Sequence, residues 1–320
     1  MLLTFEAVSQ KIQTGRLLHI AGSETLLRKL PKGNWIGGST EYFMTEDGGK
    51  VAGDLAYVTT FQDRNYNIKP YAADEIENVA NDAYDNGFSI VIIPFDSAVH
   101  EQYAEHAAEY ENMFMCNITG WIAGMNLGKP GQVPISVNGL TGEVYTDKAV
   151  VLHLESPEGK TATMGIVNIF EQDEASPLIA FTQDGFVVNT CLVDGSEVVF
   201  ADYITKQHLD TKMPIVGDYS GTGINVSIKK IENGLVHLYA PVFGGIQYRM
   251  AKKISNYEAE FRNRIEKLNP GDSVFSCNCI LNFLYGELEG KRIESFAGPI
   301  TFGEIAYQLL NQTLVYVIES

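Results

Sequence analysis

The chain has 320 residues, of which 45% are hydrophobic and 20% charged, and its 40 acidic against 23 basic side chains give a formal net charge of −17. So acidic a surface repels phosphate backbones and anionic lipid heads, which argues against nucleic acid and membrane surfaces as partners. The amino terminus lacks the basic-then-apolar order of a signal peptide, and no apolar run approaches the ~20 residues of a membrane helix. We therefore expect a cytoplasmic protein with two packed halves.

The first third of the sequence alternates between strand and helix patterns. Helices are predicted over LTFEAVSQKIQTG, SETLLRKL, ADEIENVANDAYDNG and HEQYAEHAAEYENMF, with Ser23 as an N-cap and Gly87 as a terminator. Strands are predicted over RLLHIAG, NWIGGSTEYF, AYVTTFQ and SIVIIPF, the second of them broken by Gly37-Gly38. This order predicts a mixed sheet covered by helices.

After a passage rich in Gly and Pro, GKPGQVPISVNGLTGEVYTD, the pattern changes to short apolar or alternating runs. Asp184-Gly185, Asp194-Gly195 and Asn233-Gly234 are dipeptides typical of hairpin turns, so a largely antiparallel region is expected. The segment GIQYRMAKKISNYEAEFRNRIEKL then predicts a long amphipathic helix, and SVFSCNCILNFLYG a strand that leads into a helix.

The predicted fold class is α+β, with mixed sheets in two halves, residues 1–130 and the strand-rich residues 131–320. Two internal similarities of the sequence, here called echoes, favour a pseudo-duplicated arrangement. RLLHIAG, a helix and WIGGSTEYF resemble SVFSCNCILNFLYG followed by SFAGPITFGEI, and VIIPFDSAVHEQYAEHA resembles HLYAPVFGGIQYRMAKKI. Strand–turn–helix units are common, so chance resemblance is the alternative.

No catalytic or cofactor motif stands out in the sequence. HExxH, a phosphate-binding GxxxxGK[ST] loop and a GxSxG elbow do not occur, and the Gly221-Thr222-Gly223 stretch precedes a strand instead of a helix. No metal or cofactor is expected. Cys277 is a candidate nucleophile if a base lies near it, but free cysteines are more often buried structural residues.

Three glycine-rich turns end apolar runs and are the better candidates for a binding site. They carry Ser39 and Glu41 in the first turn, Tyr248 and Arg249 after the second, and Gly298, Thr301, Gly303 and Glu304 in the third. Glycine in such turns permits a positive φ or the close approach of a ligand, although ordinary turns use glycine as well.

Two charged residues in these turns have alternative roles. Arg249, predicted on a helix, suits a carboxylate ligand, or it pairs with one of the many surface acids. Glu304 can receive a ligand ammonium group or bond the N–H groups of its own turn. The third turn either faces a cleft between the halves or begins a helix, in which Thr301 and Glu304 form a capping box.

The carboxyl-terminal stretch resembles the C-terminal half of FIST domains. The resemblance rests on Ser276-Cys277, Gly298, Thr301, Gly303-Glu304-Ile305 and Asn311 with Thr313, and NWIGGSTEYF is similar to the turn of the N-terminal FIST half. The family often has an Arg shortly after the Cys, where this chain has Asn278-Cys279-Ile280. The resemblance implies an intracellular sensory domain that binds small ligands such as amino acids and is coupled to signalling.

The leading functional hypothesis is a sensory protein that binds an amino acid or organic acid in the cleft between its halves, with Ser39, Glu41, Tyr248, Arg249, Cys277, Gly298, Thr301, Gly303 and Glu304 as the site residues. No output module follows in the sequence, so signalling would pass through a separate protein partner. The alternatives are an enzyme that uses Cys277 on a small amide or acid, and a ligand-free scaffold that forms a homo-oligomer.

Overall fold

The computed structural model describes residues 1–268, 273–293 and 296–320. Strands in several sheets dominate and helices are few, which confirms the mixed α/β class. The chain forms two compact units. The first comprises Met1–Val167, Arg262–Leu309 and Thr313–Ser320, and the second comprises Asn168–Phe261 and Leu310–Gln312. Among the described residues, no helix combines the length and the apolar character needed to cross a bilayer.

The first segment of the first unit has two short helices that begin at side-chain caps. Thr4 Oγ1 accepts from the N–H of Ala7, and Ser23 Oγ from that of Leu26. Its elements are β1 (Leu2–Thr4), α1 (Phe5–Gln13), β2 (Leu18–Gly22), α2 (Glu24–Leu27), β3 (Trp35–Ser39), β4 (Tyr42–Thr45), β5 (Gly48–Val51) and β6 (Leu55–Thr60).

The second segment repeats this order of elements, except that a 3-10 turn at Ile76–Val79 replaces the first helix. Its elements are β7 (Tyr66–Tyr71), β8 (Gly87–Pro94), α3 (Ala98–His106), β9 (Asn117–Ala123), β10 (Ser136–Asn138), β11 (Glu143–Tyr145) and β12 (Ala149–Glu155). Strand β8 is buried along its whole length, as its apolar sequence requires.

The third segment begins with β13 (Ala162–Asn168) and is then interrupted by the second unit. The interruption contains β14 (Ile179–Ala180), β15 (Gly185–Val188), β16 (Thr190–Val193), β17 (Ser196–Val199), α4 (Phe200–Lys206), β18 (Ile215–Tyr219), β19 (Thr222–Val226), β20 (Ile228–Glu232), β21 (Leu235–Val242) and β22 (Gln247–Met250). The segment continues with α5 (Tyr257–Leu268), β23 (Ser273–Cys279), α6 (Ile280–Tyr285), β24 (Gly298–Thr301), β25 (Glu304–Ala306), β26 (Gln308–Leu310) and β27 (Thr313–Glu319).

Three six-stranded sheets, one built on each segment, share a single strand order. The orders are β1-β6-β2-β3-β10-β11, β7-β12-β8-β9-β25-β26 and β13-β27-β23-β24-β4-β5. In each sheet the third and fourth strands are parallel and are joined through a helix, and an antiparallel strand lies beside the third. The fold is therefore a threefold topological repeat, with the second unit inserted into the third copy.

Each copy contributes a hairpin to the sheet of another copy. The chain leaves β3 and forms the hairpin β4-β5 beside β24, leaves β24 and forms β25-β26 beside β9, and leaves β9 and forms β10-β11 beside β3. The three points at which the chain changes sheets lie between residues 39 and 42, 123 and 136, and 301 and 304. We call these connections the crossovers.

The predicted duplication is not confirmed. The first echo does correspond to equivalent parts of two copies, β2-α2-β3 and β23-α6-β24, in which the two strands are parallel. The second echo does not, because β21 lies between β15 and β20 in a three-stranded sheet and is followed by a strand, not a helix.

Of the predicted helices, one does not form and another is shorter than expected. ADEIENVANDAYDNG forms only the 3-10 turn Ile76–Val79, since Asn and Asp compete with helical hydrogen bonds and Asp82 accepts from Tyr71 and Lys69. In the segment after Phe243 the helix is confined to Tyr257–Leu268. Arg249 lies on strand β22, not on a helix, because Tyr248 and Met250 alternate inward with the period of a strand.

The helix predicted after Glu304 is also absent, so the capping box is wrong. Residues 304–319 form β25, β26 and β27, and β25 pairs with β9 from Glu304 opposite Trp121 to Ala306 opposite Thr119. Pairing with a strand distant in sequence overrides the local pattern.

Of the predicted hairpin turns, Asp194-Gly195 and Asn233-Gly234 are confirmed, whereas Asp184-Gly185 joins strands of different sheets.

Candidate functional site

The predicted site residues divide between the two units. Tyr248 and Arg249 belong to the second unit. The other residues belong to the first unit. Five of them lie at the crossovers, namely Ser39, Glu41, Thr301, Gly303 and Glu304, while Cys277 lies on β23 and Gly298 is the first residue of β24.

The two site residues of the second unit have local partners. The ring of Tyr248 is fully buried, and its Oη accepts a hydrogen bond of 2.9 Å from the N–H of Phe243. The Nη1 atom of Arg249 donates to the carbonyl oxygen of Ser176. Both side chains thus hold neighbouring backbone in place.

The crossovers of the first unit meet one another. Thr40 Oγ1, in the first crossover, donates to the carbonyl oxygen of Ile300 at 2.7 Å. A Cβ atom on Gly124 would overlap the ring of Phe302, so the second and third crossovers are also in contact. The sequence-predicted turns around Glu41 and Glu304 are therefore brought together.

Glycines permit this close approach. A Cβ atom on Gly298 would lie 2.6 Å from the carbonyl oxygen of Ser276 on the parallel strand, which is too close for any other residue. Gly303 has a φ of 152°, and its carbonyl oxygen accepts from the N–H of Ile122 at 2.9 Å. Both glycines serve backbone packing between strands.

Glu304 is fully buried among neutral donors. Thr301 Oγ1 lies 2.9 Å from its Oε1 and Thr313 Oγ1 lies 2.9 Å from its Oε2. Burial raises the pKa of Glu304 to about 8, against the opposing effect of these hydroxyl groups. The carboxyl group therefore keeps its proton at neutral pH.

Cys277 is fully buried beside this carboxyl group, with its Sγ 3.4 Å from the carbonyl oxygen of Gly120. Burial, and next the proximity of Glu304, raise the pKa of the thiol well above its usual value. A nucleophilic cysteine needs the opposite conditions, a lowered pKa and access to a substrate. The geometry thus gives the enzyme hypothesis no support at this residue.

Glu41 has the most specific set of partners of the predicted residues. Its side chain is 3% exposed, and it accepts three hydrogen bonds, each of 2.7 Å, from Asn126 Nδ2, Lys129 Nζ and Gln132 Nε2. All three donors come from the second crossover, the loop of residues 124–135 that joins β9 to β10. We call it the crossover loop.

Ser39 holds both ends of the crossover loop. Its Oγ donates to the carbonyl oxygen of Gly124 at 2.7 Å and accepts from the N–H of Ile135 at 2.9 Å. Its backbone bonds the same two residues, at 2.7 Å for the N–H of Gly124 and 3.0 Å for the carbonyl oxygen of Ile135. With its ends this close, the segment has the form of an Ω-loop, a type of loop that frequently carries function.

The electrostatics of Glu41 favour the ionised form. Burial by itself would raise the pKa of this carboxyl group. The hydrogen bonds from Lys129, Asn126 and Gln132, together with the charge of Lys129, outweigh burial and hold the pKa below its ordinary value. The site therefore presents a carboxylate with a cation and two amides around it.

None of the three donors to Glu41, which are Asn126, Lys129 and Gln132, was predicted from the sequence. The available signal was the stretch GMNLGKPGQVPI, in which polar side chains are spaced between glycines and prolines. Such composition predicts a loop, but it does not indicate which distant residue the loop covers. Among the residues that the structure describes, no three His, Cys, Asp or Glu side chains are grouped so as to hold a metal ion.

Comparison with known families places the chain in one of them. The chain belongs to DUF6976, a family of unknown function, whose model matches residues 3–319. The predicted membership in the FIST family is therefore wrong, because the match over nearly the whole chain is to a different family. No curated protein matches the sequence.

Proposed function

We propose that this protein is a cytoplasmic sensory protein that binds a small polar ligand of the amino-acid class at Glu41, and that a separate protein partner detects the occupied state. The main support is that an ionised carboxylate lies almost completely buried under a single loop, which supplies every side-chain hydrogen-bond donor that it has among the described residues. Acidic side chains are almost never buried this far unless they are paired, and groups with perturbed pKa values cluster at functional sites.

The competing explanation is that Glu41 only fixes the position of the crossover loop. Removing a charge from water is unfavourable, and well-packed apolar residues would fix a loop at least as well as a buried ion pair. Ser39 already holds both ends of the loop with four hydrogen bonds. A charged anchor at Glu41 is therefore more than loop closure requires.

The chemistry of the site distinguishes between the two expected ligand classes. An amino acid carries, besides its carboxylate, an ammonium group that can bond Glu41 directly, whereas an organic acid brings only a carboxylate, which Glu41 repels. Arg249, the residue expected to hold a carboxylate, donates to the carbonyl oxygen of Ser176. The amino-acid class is thus the better supported of the two.

The crossover loop also offers a surface for a partner. Leu127 is 56% exposed and Val133 is 44% exposed, and both lie on this loop. The N–H of Leu127 bonds Tyr42 Oη at 3.0 Å, so the loop position depends on residues next to Glu41. A ligand that binds one loop position better than another would shift the population and change the presented surface.

The test is a thermal-unfolding screen against the standard amino acids and small organic acids, with wild type, Glu41→Gln and the surface control Glu232→Gln. A ligand at a hundred times its Kd adds ~2.7 kcal/mol of stability. We expect an amino acid to stabilise wild type and Glu232→Gln but not Glu41→Gln. A ligand that stabilises all three proteins equally, or the absence of any stabilising ligand, would count against the proposal.

A further inference from the structure

The ion pair between Lys129 and Glu41 is unequal in exposure. The Lys129 side chain is 55% exposed, while that of Glu41 is 3% exposed. In the pair Arg64–Glu319 both side chains are buried, at 3% and 2%, and in the pair Lys252–Glu171 both are exposed, at 56% and 71%. Lys129 therefore reaches from solvent to a carboxylate that is otherwise enclosed.

The three donors to Glu41 differ in how firmly they are held. Asn126 and Gln132 also bond each other, since the N–H of Asn126 donates to Gln132 Oε1 at 2.8 Å, and the N–H of Gly128 donates to Asn126 Oδ1 at 2.9 Å. The described residues provide no second partner for the ammonium group of Lys129. Its long flexible side chain loses rotamer freedom when it is held in one position, so this contact is the easiest of the three to exchange.

We propose that Lys129 is a tethered stand-in for the ammonium group of the ligand, and that the ligand class is a primary ammonium compound, which replaces Lys129 Nζ at Glu41 Oε2. This inference rests on the proposed function. Asn126 and Gln132 keep their bonds to the carboxylate, and the displaced Lys129 returns to solvent. The ligand approaches Glu41 from the solvent side, where the Lys129 side chain is half exposed.

Competition by the tethered lysine lowers the affinity for every ammonium ligand. A group attached by a short flexible link competes at an effective concentration in the millimolar range. Because a half-exposed ion pair contributes little, removing Lys129 should strengthen the binding of a small ammonium ion by up to about fivefold. Removing Glu41 should abolish it, because the neutral amides alone do not select a cation.

Chemical rescue by ethylammonium chloride tests this inference. Lys129→Ala should show a saturable rise in Tm with ethylammonium, at an apparent Kd up to about fivefold below that of wild type. Tetramethylammonium at matched ionic strength carries the same charge without an N–H donor and should give no rise. The Lys129→Ala/Glu41→Gln double variant should not respond to ethylammonium. Lys252→Ala removes a matched exposed lysine but leaves Lys129 on Glu41, so it should respond no more strongly than wild type.

Equal responses to the two cations, or equal responses of Lys129→Ala and Lys252→Ala, would overturn the inference. Should Lys129→Ala not fold, the Lys129 ammonium resonance of wild type, followed by ¹⁵N NMR, gives the answer: it should move to its solvent position with ethylammonium and stay in place with tetramethylammonium. An amino acid that requires Glu41 while ethylammonium has no effect would leave the proposed function standing and refute the stand-in.

Discussion

Glu41 and Glu304 occupy comparable places in the repeat, since each lies where the chain leaves one sheet and enters the next, yet their charge states are opposite. Glu304 is fully buried and bonded by the hydroxyl groups of Thr301 and Thr313, so burial prevails and the carboxyl group stays protonated at neutral pH. Glu41 is covered by a loop that brings a lysine and two amides, so it ionises. The donors that accompany burial, more than burial itself, decide the charge.

The largest expected effect is the pH dependence of stability that Glu304 imposes. Its pKa is about 8 in the folded protein and near 4.5 when unfolded, so between these values the folded state binds the extra proton. Its contribution to stability is complete below pH 4.5 and is lost as the pH rises through 8, by about 1.4 kcal/mol per pH unit. Urea unfolding at several pH values should show this slope in wild type and not in Glu304→Gln. A constant difference between the two proteins would mean that Glu304 is ionised.

The second expected effect has the opposite dependence on pH. Because the folded pKa of Glu41 is lowered, its stabilisation is present above its unfolded pKa and is lost as the pH falls through the folded value. At pH 7, Glu41→Gln should lower the free energy of unfolding by about 1.5–3 kcal/mol, since an amide NH₂ then faces a donor. Chemical unfolding of both proteins at pH 7 and pH 4 measures this gap. If the difference in unfolding free energy between wild type and Glu41→Gln were larger at pH 4 than at pH 7, Glu41 would not be ionised in the folded protein.

The smallest expected effect concerns the cation of the Glu41 site. Lys129→Met should change the free energy of unfolding by less than about 1 kcal/mol, because half-exposed ion pairs contribute little. Lys252→Met, which removes an exposed pair with Glu171, is the matched control and should behave alike. If Lys129→Met were several kcal/mol less stable than this control in urea unfolding, Lys129 would be a structural anchor and not an exchangeable contact.

Local features of the fold were accessible from the sequence, but the repeat was not. Apolar runs such as SIVIIPF and caps such as Ser23 predicted strands and helix starts correctly, and one echo coincided with two equivalent parts. The threefold order stayed hidden because residues 168–261 interrupt the third copy. The hairpins, in addition, pair with strands far away in the chain, as β4 does with β24.

Only half of the candidate site could be predicted from the sequence. Ser39 and Glu41 were predictable as site residues, because a hydroxyl group and a carboxylate that follow glycines at the end of a strand suggest a ligand-binding turn. The partners Asn126, Lys129 and Gln132 follow no periodic pattern, and their position depends on how β9 and β10 join two sheets. Helical periodicity also misled at Arg249, where pairing of β22 with β14 and β18 decides the conformation.

The exchange of hairpins among the three sheets has a mechanical consequence. Each sheet is completed by a hairpin from another copy, so the three copies are interlocked. A cut in the connection between β6 and β7 would sever the backbone, but β4-β5 would stay paired with β24, and β10-β11 with β3. Two fragments divided there would need each other to complete a sheet, which makes this connection a natural place to split the protein into complementary fragments.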